Sequence, residues 1–145
     1  MRIELPARLA QVHEMRIPIR WGDMDAMGHV NNASYFRYME TARIEWFRAA
    51  NCMVDPAGQG PVIVNAFCNF QRQFEYPGDI RIRTYVGEVG RSSFDSFHVM
   101  TLADDPAQTP CASGGATVVW VDFPAQRSLP LPAHLRDYLA RLPLA

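Results

Sequence analysis

Residues 21–32 read WGDMDAMGHVNN, and residues 33–50, ASYFRYMETARIEWFRAA, follow without a break. The second part has helical spacing. At 100° per residue Tyr35, Phe36, Tyr38, Met39, Ala42, Trp46, Phe47, Ala49 and Ala50 fill about half the circumference, wider than the usual apolar stripe. The spacing predicts a helix from roughly Asn32 to Ala50, with Asn31 or Asn32 capping its first free N–H groups. Such a helix should be largely enclosed. Arg43 interrupts the apolar half one turn after Glu40, which suits either an i,i+3 ion pair or a stem that packs while its head reaches the surface.

Working outward, the preceding RIPIRW (Arg16–Trp21) alternates Ile17, Ile19 and Trp21 with other residues and predicts a strand. Pro18 cannot donate to a ladder, so that strand belongs at an edge or turns Pro18 away from a partner. After the helix DPAGQG (residues 55–60) is rich in turn formers, and the rest is almost wholly extended. Four strands are expected, Val62–Phe74, Asp79–Glu88, Phe94–Leu102 and Cys111–Phe123, separated by EYPGD, VGRSS and ADDPAQTP. Within the second of these Ile80, Ile82, Thr84 and Val86 alternate with Arg81, Arg83 and Tyr85, the pattern of a sheet with one buried face. Leu135, Tyr138, Leu139 and Leu142 predict a short terminal helix over Pro132–Leu142. The order points to an α+β fold, a single domain over residues 1–145. One antiparallel curled sheet of about five strands wraps around one long central helix.

At 145 residues, 48% of them apolar and 20% charged, the composition is that of one globular domain. Fourteen basic residues against fifteen acidic ones give no basic excess, so nucleic acid is an unsuitable partner. No segment has the roughly 20 apolar residues that cross a bilayer. The N-terminus MRIELPARLAQVHE is broken by Glu4, Pro6 and Arg8 and reads as mature sequence, so a cytoplasmic location without membrane contact is expected. Cys52, Cys68 and Cys111 are odd in number and widely spaced, suggesting reduced thiols rather than a disulfide framework or zinc site. Cys68, in an apolar run, is a conceivable nucleophile and more simply a small buried hydrophobe.

The stretch from Trp21 to Arg43 resembles the signature of the hotdog-fold acyl-CoA thioesterases of the 4-hydroxybenzoyl-CoA thioesterase type, in which a D-x-D-x-x-G-H-V-N-N loop precedes the long helix. Seven of its ten consecutive positions are fixed, and Asp23, Asp25, Gly28, His29, Val30, Asn31 and Asn32 all match. The resemblance extends over most of the chain. FQRQFEYPGD is similar to the family's strand and turn after the helix, with shorter spacing; GRSSF is similar to the hairpin between the third and fourth strands. ATVVWVDFPAQRSLPLP is similar to its last strand and exit. The resemblance implies a hotdog fold and hydrolysis of an acyl-CoA, or of an acyl-carrier-protein thioester, with no cofactor and no metal.

Thioester hydrolysis needs a carboxylate or water aimed at the carbonyl carbon and donors for the charge that grows on oxygen. A carboxylate beside a helix N-terminus supplies both. Residue reasoning leaves Asp23 and Asp25 open, since residues two apart share a side of an extended chain. The resemblance implies Asp25, as nucleophile or general base, while the plainer reading of Asp23 is a residue bonding local backbone N–H groups. Gly28 permits a tight turn or close approach to a ligand. His29 has a supporting role, orienting Asp25 or bonding substrate. Asn31 and Asn32 suit helix capping, and the Asn32 backbone N–H would meet the carbonyl. Tyr35, in the first turn, is placed with Gly28 and Asn31 among the substrate contacts. The resemblance brings Arg91, Ser92 and Ser93 near the coenzyme A nucleotide; Arg72, Arg81 and Arg83 are weaker candidates. A Mg²⁺ reading of the D-x-D pair lacks further oxygen ligands and a phosphate-cradling loop. Two other readings stand beside hydrolysis, a hotdog enoyl-thioester hydratase or dehydratase and a non-catalytic acyl-thioester-binding module. The resemblance, and the exposed edges of a curled sheet, also imply a homodimer or a dimer of dimers with the active site between subunits.

Overall fold

A computed structural model describes residues 1–53, 55 and 58–144. In chain order the elements are β1 (Ala10–Pro18), a 3₁₀ turn (Trp21–Asp23), α1 (Asn32–Ala49), β2 (Gln59–Phe70), β3 (Asp79–Val89), β4 (Ser93–Leu102), β5 (Pro110–Asp122), β6 (Arg127–Ser128) and α2 (Ala133–Ala140). Of the turn expected over residues 55–60, Pro56 and Ala57 lie outside the described residues.

The strands form one antiparallel sheet in the order β1-β3-β4-β5-β2, with β6 folding back on the end of β5. The expected α+β fold of a curled sheet around one helix is observed. Edges differ in detail. β1 begins six residues before Arg16, because a register shift between Gln11 and His13 disturbs the period-2 pattern that marks a strand. It ends at Pro18 on the sheet's edge, and Trp21 belongs to the 3₁₀ turn, with 78% of its surface exposed. β2 stops at Phe70 rather than Phe74. Phe74 instead turns back into the core, where its N–H donates to the Tyr35 hydroxyl and its C=O accepts from the Val30 N–H.

α1 starts where the asparagines predict, Asn31 Oδ1 accepting from the Ala33 N–H at 2.9 Å. Tyr35, Tyr38, Met39, Ala42, Trp46 and Phe47 face the sheet, while Phe36 and Ile44 are exposed on this chain. Glycine makes the closest approach possible. A Cβ at Gly114 on β5 would lie 2.6 Å from Met39 Sδ of α1 and 2.5 Å from the Phe67 main-chain oxygen of β2.

The core is two apolar clusters. One holds Tyr35, Tyr38, Met39, Phe74, Ile80, Ile82 and Met100; the other holds Trp46, Phe47, Val86, Phe94, Val118, Trp120 and, from α2, Leu135 and Leu139. Between them runs a polar row across the inner sheet face, His13 beside Thr84 beside His98. Thr84 Oγ1 lies 3.1 Å from His98 Nδ1, and Arg43 of α1 lies over the row. His98 Nε2 and His13 Nδ1 have no hydrogen-bond partner among the described residues. Neither alternative for Arg43 holds: no Glu40–Arg43 ion pair forms, and the head does not reach the surface. Glu40 pairs with Arg37 at 2.7 Å, and Arg43, only 7% exposed, points at the sheet because its helix position faces inward.

Burial, with Arg43 and His13 close by, pushes His98 down to about 3, from an ordinary 6.5. The unfolded chain therefore takes up a proton near pH 6.5 that the folded chain refuses. This contribution is full above pH 6.5 and is lost as pH falls from there toward 3. At pH 5 the loss amounts to about 2 kcal/mol. Thermal melts of wild type from pH 7.5 to 4.5 are expected to fall more steeply than those of His98→Leu, and parallel slopes would refute the assignment.

Candidate active site

The loop of residues 23–31 folds as a small hairpin. Met24 and Val30 form a bridge, the Asp25 N–H donates to the His29 C=O at 2.8 Å, and the Gly28 N–H donates to the Asp25 C=O at 3.2 Å. Gly28 sits at φ +83°, in the left-handed region where a side chain would be strained. Inside the turn Asp25 Oδ1 accepts from the Met27 N–H at 2.9 Å, a bond that fixes the carboxylate while leaving it exposed. The loop then runs through Val30 and Asn31 into α1. The Asn32 N–H, first of the helix, has no acceptor among the described residues. The hairpin that carries Asp25 thus runs directly into the N-terminus of α1.

The two aspartates part company here. Asp23 Oδ2 accepts from the Arg20 N–H at 3.0 Å and from the Tyr38 hydroxyl at 2.7 Å, which ties that oxygen to the scaffold. Asp25 instead lines an open cavity of about 470 Å³ with Trp21, Gly22, Met24, Gly28 and Tyr76. Trp21 and Tyr76, which line the cavity, and Tyr38, bonded to Asp23, are neighbours of the loop that sequence reasoning missed. Each comes from outside the matched motif's fixed positions, and folding alone brings Tyr76, in the turn from Glu75 to Asp79, beside the loop.

The His29 ring makes no hydrogen bond to the Asp25 carboxylate among the described residues; its Nε2 lies 3.4 Å from Glu75 Oε1. Tyr35 is buried under the loop, its hydroxyl accepting from the Phe74 N–H at 3.1 Å and its ring edge-on to Phe70 at 4.8 Å. Asn31 serves as the cap. Arg91, Ser92 and Ser93 lie elsewhere, in the β3–β4 hairpin at the other end of β3, a strand of 11 residues and roughly 35 Å of extended chain. Within one chain they do not meet Asp25. The Arg91 and Ser92 carbonyls accept from the Leu131 and Trp120 N–H groups. Arg81 and Arg83 are tied to Gln108 and Glu14, as strand-face arginines. Burial pushes the Cys68 thiol up to about 12, which leaves it without thiolate character and supports the packing role.

A sheet curled around one helix, with a carboxylate hairpin delivered to that helix's N-terminus, defines the hotdog architecture. Residues 19–139 match the Thioesterase-like superfamily, and the chain belongs to it. That membership makes it an enzyme of the thioester-hydrolase class. The PA2801 protein from Pseudomonas aeruginosa shares 35% identity and a TM-score of 0.83, over 89% of this chain and 98% of that one. The long-chain acyl-CoA thioesterase FadM of Escherichia coli K12 is 26% identical, over 89% of this chain and 98% of its own length. The 1,4-dihydroxy-2-naphthoyl-CoA thioesterase Slr0204 from Synechocystis, 13% identical with a TM-score of 0.80 over 92% and 97% of the two chains, shares the fold.

Proposed function

We propose that this chain hydrolyses an acyl-CoA thioester to free acid and coenzyme A, with Asp25 as nucleophile or general base and the Asn32 N–H polarising the carbonyl. The observation that carries the reading is the contrast between the carboxylates: Asp23 Oδ2 is bonded to the scaffold, and Asp25 is exposed and lines an open cavity on the hairpin that leads into α1. With the thioester oxygen at that N-terminus, negative charge developing there meets an N–H donor and the positive end of α1. As nucleophile, the Asp25 carboxylate adds to the carbonyl carbon and expels the thiolate, and water then cleaves the acyl anhydride. As base, it takes a proton from the attacking water. Glu75 holds the His29 ring, and Tyr35 holds the Phe74 segment behind the loop, so both support the site. The acyl-CoA relatives favour this chemistry over hydration of an enoyl thioester. The reading places the reaction in the cytoplasm; no helix among the described residues is long and apolar enough to cross a membrane.

The reading includes a second copy. β2 is a sheet edge with Ile63, Val64 and Ala66 exposed. Pairing two β2 edges about a two-fold axis inverts strand direction, so the far-end hairpin of one copy approaches the Asp25 end of the other. That offers Arg91, Ser92 and Ser93 a route to the coenzyme A phosphates. Light scattering is expected to give at least twice the 16.4 kDa chain mass. Val64→Lys, at a position 57% exposed on the single chain, is expected to give a folded monomer without turnover. A wild-type monomer that is fully active would overturn the shared site.

Thiol release from short, long and aromatic acyl-CoAs tests the activity and names the preferred acyl class. Tight binding of an acyl-CoA without thiol release would replace hydrolysis by a binding role.

A further inference from the structure

Asp23 stands outside the chemistry proposed above, yet no other side chain of the loop makes as many bonds. Its Oδ2 accepts from the Arg20 N–H and the Tyr38 hydroxyl, and its main-chain oxygen accepts from the Asn31 N–H at 2.9 Å. One residue thereby joins the chain leaving β1, the root of the Met24–Val30 hairpin and the second turn of α1. Tyr38 is 4% exposed. Burial, then the Asp23 acceptor, raises its phenol well above the ordinary value, so it remains an O–H donor at every working pH.

The hairpin reaches Asp25 on one strand and returns through Val30 to Asn32. Its root therefore sets where the Asp25 carboxylate stands relative to the Asn32 N–H. Two hydrogen bonds hold the far side of the loop, Val30 N–H to Phe74 C=O and Asn31 N–H to Asp23 C=O. On the Asp25 side the Tyr38–Asp23 bond is the side-chain tie to α1.

We propose that Asp23 and Tyr38 are positioning residues: the bond between them locks the hairpin onto α1 and fixes the separation of Asp25 from the Asn32 N–H. Its kinetic consequence rests on the thioester-hydrolysis reading; its effect on the hairpin does not. A misplacement of about 1 Å can cost a hundredfold in rate, and a hairpin freed at one of several ties should lose part of that.

Three variants separate the roles. Tyr38→Phe removes one hydroxyl, Asp23→Ala removes the acceptor, and Asp23→Asn keeps an acceptor oxygen without charge. Tyr38→Phe and Asp23→Ala are expected to lower kcat about tenfold at unchanged KM, while Asp23→Asn stays near wild type. Hydrogen exchange supplies a readout that needs no substrate. The Asp25, Gly28 and Val30 amides should exchange faster in Tyr38→Phe and not in Asp23→Asn, with β3 and β4 unchanged. An Asp23→Asn loss as large as that of Asp25→Asn would make Asp23 a catalytic group and overturn the proposal, as would an unchanged kcat in Tyr38→Phe. If the wild type hydrolyses no acyl-CoA, the hydrolysis reading falls alone. Exchange then decides the clamp, and unchanged exchange in Tyr38→Phe refutes it.

Discussion

Asp25→Asn is expected to lower kcat for acyl-CoA hydrolysis by about 10²- to 10⁴-fold, the range for removing a positioned acid–base group, with the melting temperature unchanged. The substitution is nearly isosteric, and the amide oxygen can still accept from the Met27 N–H, so the turn that presents residue 25 survives. Asp25 is exposed and makes no ion pair among the described residues, so folding does not depend on its charge. What disappears is the capacity to attack a carbonyl or to take a proton from water. KM should move little, because the acyl and nucleotide parts of the substrate keep their contacts. Thiol release measured beside a thermal melt checks both halves, and a variant as active as wild type would remove Asp25 from the mechanism.

The largest structural effect is expected at Gly114. Alanine there would bring its methyl to 2.5 Å from the Phe67 main-chain oxygen and 2.6 Å from Met39 Sδ. Met39 is flexible and can withdraw. The oxygen cannot, because it belongs to β2, which pairs with β5 from Gln59 to Phe70. Relief must come from parting those strands or lifting α1 off the sheet. Overpacking of a close-packed core costs about 1–3 kcal/mol, and a clash with fixed backbone belongs at the upper end. A loss of about 3 kcal/mol corresponds to roughly 10 °C in a chain of this size. Urea and thermal unfolding of Gly114→Ala provide the check, and a melting temperature within about 2 °C of wild type would mean that the strands part at little cost.

Elements governed by local chemistry were legible in the sequence. Asn31 and the apolar stripe mark α1 nearly to the residue, and the strict alternation from Ile80 to Val86 marks β3. The start of β1 was hidden by its bulge, and β6 is only Arg127–Ser128, too short for a pattern. In the site, the family resemblance implies Asp25, but residue spacing by itself does not separate Asp25 from Asp23. The structural difference between them comes from Tyr38, 15 residues away, which reaches back to Asp23. His29 meets Glu75 for the same reason, a contact made by folding rather than by spacing. Asp25 and the Arg91 hairpin lie at opposite ends of β3, a placement that the folded sheet sets and the motif does not.

The polar row of His13, Thr84, His98 and Arg43 bears on how such a chain diversifies. Because it separates the apolar cluster beneath Asp25 from the one closed by α2, volume changes on one side have few neighbours in common with the other. A lineage could reshape the half around Tyr35, Phe74 and Met100 to suit a new acyl group while Trp46, Phe94 and Leu135 keep the chain folded. The seam is a boundary between a part free to vary and a part that insures it.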